Sequence, residues 1–283
     1  MRSTNAAAFR REGYARLDGL LEAAEVAALR DDVERGFRAP AGPACERPHN
    51  TLLPLRWNDA IVGRVVGSEA RVERVREAID AADLRWISGY VSRKEPRSAA
   101  LWWHQDWWCW DHPVTGRAAA PQVALLAYLT ATDDRNAALR LLPGSHHAST
   151  PLHAVLPEAH ADEAAELPAT HPAMSDQPGQ VTLELEAGDA VVIDYRLLHG
   201  THANATDARR DCVLLTFAPA WRGLPADVRG HLIRHPALPL DGERPPAGSW
   251  AARLLPSHDG PRRDLPLNRA APARFAIREA RPG

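Results

Sequence analysis

Lysine is almost missing from this chain. Lys94 is the single one in 283 residues, and the rest of the basic charge is arginine. Basic and acidic residues nearly cancel, leaving a formal net charge of -2. That balance lacks the electrostatic footprint of a nucleic-acid or membrane-surface binder. Cysteine is scarce too. Cys45, Cys109 and Cys212 are scattered and form no Cys-x-x-Cys pair. This excludes a disulfide framework and a structural zinc site. No apolar run approaches the roughly 18 residues that span a bilayer. The N-terminus has no apolar segment of the secretory kind. The expectation is a cytoplasmic protein of a bacterium-like cell, a monomer or homodimer, with no nucleic-acid and no membrane partner. The length suits one large domain over 1–283, since all-β barrels and sandwiches reach this size undivided.

What the chain has in abundance, locally, is tryptophan. Trp102-Trp103-His104-Gln105-Asp106-Trp107-Trp108-Cys109-Trp110 puts five of them around one imidazole and one carboxylate. On a β-strand, residues two apart share a face, so His104 and Asp106 project side by side. Together they can give two ligands to one divalent metal. A third is needed, and His199 offers it at the end of Gly188-Asp189-Ala190-Val191-Val192-Ile193-Asp194-Tyr195-Arg196-Leu197-Leu198-His199-Gly200. Two histidines and a carboxylate on one face form the facial triad of non-haem Fe(II) oxygenases. The bland alternative is a strand histidine merely hydrogen-bonded to a carboxylate.

Periodicity orders the rest. Residues 5–21 read as a short helix and then a strand. Glu22 to Gly36 carries Val26, Leu29 and Val33 at helical steps. Arg38 to Leu55 reads as loop, with prolines at 40, 43, 48 and 54. Trp57 to Ala82 holds one or two helices, with Val72, Val75, Ala78 and Ile79 as an apolar stripe. From Leu84 the period becomes two. Strands follow at 84–92, through the tryptophan run, and at 122–130, 138–142, 181–185, 190–195 and 212–218. Pro143-Gly144-Ser145-His146 is a turn. Residues 150–178 read as a surface insertion, and 225–283 as irregular cover or tail. Short strands with Gly/Pro turns predict an antiparallel double-sheet jelly roll: mainly β with flanking helices, a double-stranded β-helix of cupin-like form.

These pieces together resemble the phytanoyl-CoA dioxygenase-like family of Fe(II)/2-oxoglutarate-dependent oxygenases. The resemblance rests on Phe9-Arg10-Arg11-Glu12-Gly13-Tyr14, Trp103-His104-Gln105-Asp106, Leu141-Leu142-Pro143-Gly144-Ser145-His146, and Gly188-Asp189 leading to His199-Gly200, Asn204 and Arg210. It covers roughly 5–220, with 221–283 left as an irregular C-terminal extension. It implies that His104, Asp106 and His199 bind Fe(II) and carry the catalysis. It implies 2-oxoglutarate and O2 as co-substrates, with succinate and CO2 released. Arg210, eleven residues after His199, falls where the family grips the far carboxylate of 2-oxoglutarate. Arg209 would point the other way on a strand. Thr201 and Lys94 match further family contacts to that co-substrate, and Gln122 is set with them. The carboxylate at Asp106 implies hydroxylation or a related oxidation, since halogenating relatives have glycine or alanine there. A regular strand would turn Gln105 and Trp107 away from the His104 face and put Trp108 on it, next to substrate; Trp102 is grouped with the outward residues. His146 is expected to be structural, and Asn204 to order the loop before Arg210. Two other classes fit the same residues less fully. One is a catalytically inactive jelly-roll binding protein, and the other is a zinc-dependent hydrolase or isomerase.

Overall fold

The computed structural model describes residues 4–38, 45–47 and 50–277. Among them, strands β1 (Tyr14–Leu17), β2 (Cys45–Arg47), β3 (Asn50–Leu55), β4 (Arg85–Lys94), β5 (Leu101–His104), β6 (Val123–Tyr128), β7 (Leu139–Leu141), β8 (Val181–Leu183), β9 (Ala190–Asp194), β10 (His199–Thr201) and β11 (Arg210–Ala218) build two antiparallel sheets. The larger runs β1-β9-β6-β11-β4-β3-β2 and the smaller β5-β10-β7-β8. This is the expected jelly roll. Helices α1 (Thr4–Glu12), α2 (Ala23–Arg38), α3 (Ala60–Val66) and α4 (Glu69–Ile79) flank it, followed by the short α5 (Asp162–Ala165), α6 (Ala226–Leu232) and α7 (Trp250–Leu254). No helix among the described residues is long and apolar enough to cross a membrane.

Alternation along the central strands sets what faces the interior. On β6, Val123, Leu125 and Ala127 pack under the helices with Val26, Leu29 and Val33 of α2 and Val72 and Val75 of α4. Ala124, Leu126 and Tyr128 turn the other way, toward Leu139 and Leu141 of the small sheet. Each fully buried Leu or Val in such a layer contributes about 1.5–3 kcal/mol. β11 repeats the pattern, with Val213, Leu215 and Phe217 under the helices. Arg210, Cys212 and Leu214 face the cavity between the sheets. The β4–β11 pairing shifts register between Thr216 and Phe217, where Ile87 on β4 has no Cα partner. Such a bulge lets neighbouring residues face one side, and Ile87 and Ser88 both line the cavity.

Several segments differ from their sequence reading, among them β2, α6 and α7, which fall in stretches read as loop or irregular tail. β3 lies where the prolines suggested only loop. Pro54 pairs with Tyr90 on β4 beyond the last β2 partner, Leu52, so it sits on an exposed strand edge that needs no second donor. The tryptophan run is a strand only as far as His104; Gln105 to Trp108 leave the sheet. β10 was too short to show a period.

Candidate active site

β5 and β10 pair so that the Cα of His199 lies opposite that of His104. Their rings are 4.2 Å apart between centroids. Asp106 joins them from beyond the end of β5, not by strand alternation. Backbone contacts hold this departing segment in place. The Gln105 side chain donates to the Arg196 carbonyl, and Trp107 N–H donates to Tyr195 O at 2.9 Å. Asp106 Oδ1 then lies 3.7 Å from His104 Nε2, and Oδ2 lies 3.6 Å from His199 Nε2. One donor atom from each of the three falls within 4.8 Å of the others.

Both imidazoles are oriented by their own main chain. His104 Nδ1 donates to Trp102 O at 2.9 Å, and His199 Nδ1 donates to Leu197 O at 3.0 Å. A carbonyl only accepts, so in the neutral form of each ring the proton sits on Nδ1 and Nε2 keeps a bare lone pair. Burial, and next the neighbouring His199, hold His104 well below the usual histidine range, so it stays neutral. Burial alone would raise the Asp106 carboxyl. The hydrogen bond from His160 and the adjacent imidazoles outweigh it, and Asp106 is ionised. A carboxylate beside two bare imidazole nitrogens is a donor set that fits Fe(II) and leaves coordination positions free.

The triad opens into a cavity of about 470 Å³ between the sheets. At one end Arg210 faces Lys94 across β11 and β4. Arg209 points outward and pairs with Glu34, whereas Arg210 is buried. Arg210 donates to Ala137 O at 3.3 Å, but its buried Nε has no partner among the described residues. Lys94 Nζ donates to Ala99 O at 2.6 Å. Burial, then Arg210 and Arg140, push Lys94 down to about 7. Neither Lys94 nor Arg210 pairs with a carboxylate among the described residues, so this end of the cavity can take up an anion. Asn204 Nδ2 ties Glu95 O at 3.0 Å to Ala208 O at 2.8 Å, which fixes the turn into β11 as expected.

Thr201 also lines the cavity, its hydroxyl 3.4 Å from Leu101 N. Gln122 lines it at the far end of β6 from Tyr128, the ring under Arg210. There Gln122 accepts from Trp108 Nε1 at 3.0 Å. The structure thus brings Arg210, Lys94 and Thr201 to the cavity, and places Gln122 with Trp108 and away from the cation end. Trp102, two residues before His104 on β5, is in the lining too, as strand alternation requires, so grouping it with the outward residues is an error. His146 accepts no ligand role and contacts Arg10 O in its turn.

Sequence reasoning missed His160. It comes from the segment read as a surface insertion, and its Nε2 lies 2.9 Å from Asp106 Oδ1. That segment has no period, and Glu-Ala-His-Ala-Asp carries no motif. The C-terminal extension was also underread, for His231, Arg234, His235, Asp264 and Arg269 form the cavity's outer rim. A wider surface groove of about 750 Å³ beside α1, β1 and α4 holds no comparable ligand cluster.

The comparisons agree with this geometry. The family model described as phytanoyl-CoA dioxygenase (PhyH) matches residues 9–212. An ectoine dioxygenase of Bordetella parapertussis is 24% identical over 224 residues, covering 74% of this chain and 72% of the relative. Among solved structures, EctD from S. alaskensis with 2-oxoglutarate and 5-hydroxyectoine superposes with a TM-score of 0.59 at 20% identity, covering 92% of this chain and 88% of that one. HygX from Streptomyces hygroscopicus, with nickel, 2-oxoglutarate and hygromycin B bound, gives a TM-score of 0.57 at 19% identity, over 77% and 87% of the two chains.

Proposed function

Because the chain belongs to the phytanoyl-CoA dioxygenase (PhyH) family, we propose that it is an Fe(II)- and 2-oxoglutarate-dependent dioxygenase that hydroxylates, or otherwise oxidises, a small molecule. Succinate and CO2 are released. The setting we infer is bacterial secondary metabolism, a reading supported by the hygromycin B-bound Streptomyces neighbour, and the location we infer is the cytoplasm. The observation that carries the enzymatic reading is the pair of bare Nε2 atoms facing an ionised Asp106, with an anion-seeking Arg210 in the same cavity.

His104, Asp106 and His199 would hold the iron. With 2-oxoglutarate and O2, that iron supplies the oxidising power. The chain's own residues bind and orient. Arg210 would take the far carboxylate of 2-oxoglutarate through its planar fork, in a buried site where charge pairing is strong. Lys94 adds a second cation beside it, and Thr201 a hydroxyl. Tyr90, Tyr195 and Leu126 line the same cavity with ring and aliphatic surface.

The test is spectroscopic. Fe(II) and 2-oxoglutarate added without oxygen should give a weak visible charge-transfer band, lost in His199→Ala. With oxygen, some small molecule should stimulate succinate release. A protein that forms no band and releases no succinate with any metabolite tried would be a binding protein on the same fold.

A further inference from the structure

We propose that the outer rim of the cavity is a subsite for an anionic oxygen group of the substrate, a carboxylate or a phosphate. The proposal rests on the oxygenase reading above and names the substrate class for the same cavity. Its residues come from 231–235, at and just after the end of α6, and from 264–269, far from the iron ligands in sequence.

The rim is rich in hydrogen-bond donors and poor in acceptors. Leu265 N–H donates to His231 Nδ1 at 3.1 Å, and Ala237 N–H donates to His235 Nδ1 at 3.1 Å. A backbone N–H only donates, so in both rings the proton sits on Nε2. Neither Nε2–H has an acceptor among the described residues. Burial pushes His235 down to about 4, and burial, then Arg234, also lowers His231, so both stay neutral donors.

Charge adds to this. Apart from Asp106, Asp264 is the only acid in the described lining, and Arg234 engages it. Arg269 is half-buried in the lining and has no hydrogen bond or ion pair among the described residues. A guanidinium left without a partner in a partly desolvated cleft favours a planar oxyanion. The wall leading inward is apolar and flat. Trp108 stacks on His231 with centroids 4.4 Å apart and planes 23° apart, and Leu214 and Leu232 adjoin them. An amphipathic molecule would lay its apolar body here, with its anion at the rim and its far end at the triad.

Equilibrium dialysis tests this on protein loaded with Fe(II) and 2-oxoglutarate without oxygen. The probes are 2-naphthylacetate, 2-naphthyl phosphate and the neutral 2-naphthylacetamide. At least one anion should bind about tenfold more tightly than the amide, and the tighter of the two identifies the group. Arg269→Gln should abolish the preference and leave the charge-transfer band intact. Equal binding of all three, or a preference that survives Arg269→Gln, overturns the subsite. The band separates the two readings. If it is absent from the wild-type protein, the iron site itself is misread. If it is present without an anion preference, only the subsite fails.

Discussion

His160 reaches across from the segment between β7 and β8 to donate to Asp106 Oδ1 at 2.9 Å, while Asp106 Oδ2 faces His199. The two histidines of the triad sit on paired strands, but the carboxylate does not. It leaves the sheet after β5 and is steadied from outside by this one imidazole. Partners of this kind commonly change metal affinity 10–100-fold when removed. His160→Ala should therefore weaken Fe(II) or Co(II) binding by roughly that factor, with little loss of fold stability. His160→Gln, which keeps a donor, should recover part of it. A calorimetric metal titration giving one affinity for all three proteins would show that Asp106 needs no such support.

The two consecutive arginines give a paired control. Arg210→Ala should raise the 2-oxoglutarate requirement by the ~2–5 kcal/mol expected when one partner of a desolvated charge pair is lost. Arg209→Ala removes ion pairs with Glu34 and Asp211 on the outer face of the sheet and should leave that requirement unchanged. Binding of 2-oxoglutarate, followed by the charge-transfer band, distinguishes the variants. Equal effects would move the carboxylate grip elsewhere, with Lys94 first in line.

Lys94 should make stability depend on pH. Its folded pKa is near 7 against an ordinary value of 10.5. Between those values the unfolded chain binds more protons than the folded one, so this residue's penalty fades as pH rises from 7 toward 10.5. The stability advantage of Lys94→Met over the wild type, without ligands, should be largest at or below pH 7 and shrink toward pH 10. Urea unfolding at pH 7 and 9.5 measures it. An advantage that does not change with pH would mean that Lys94 is charged throughout.

Gly200 follows His199 on β10. A Cβ there would meet Leu101 O at 2.8 Å and Trp102 O at 3.0 Å, both backbone atoms of β5. Gly200→Ala should pry β10 from β5 and separate the two imidazoles. We expect a loss of metal affinity larger than the loss in unfolding stability. If Gly200→Ala binds Fe(II) as the wild type does, the strand pair is more yielding than its packing suggests.

The site was legible in sequence where short-range rules apply. Arg209, just before β11, and Arg210, its first residue, face opposite ways, as strand alternation leads one to expect. Lys94 and Arg210 meet because β4 and β11 pair in register. The jelly roll was legible because β6, β9 and β11 are buried and carry apolar residues along their length. Legibility failed where tertiary contacts decide. His104 and Asp106 were read as strand neighbours, yet the strand ends between them, and Gln105 and Trp107 hold the bend. β3 was hidden by Pro54, which an edge strand accepts. His160 lies in coil, and of the rim histidines His231 is on a seven-residue helix, too short for a clear period, while His235 follows it in coil.

One feature of the triad bears on how such proteins diversify. The carbonyls that fix His104 and His199 belong to Trp102 and Leu197. They are peptide groups, and no point substitution can delete them. The alignment of the two imidazoles is thereby insulated from the side chains that surround them. Drift or breeding could repaint the walls and rim for a new molecule while the chemistry beneath keeps its tuning.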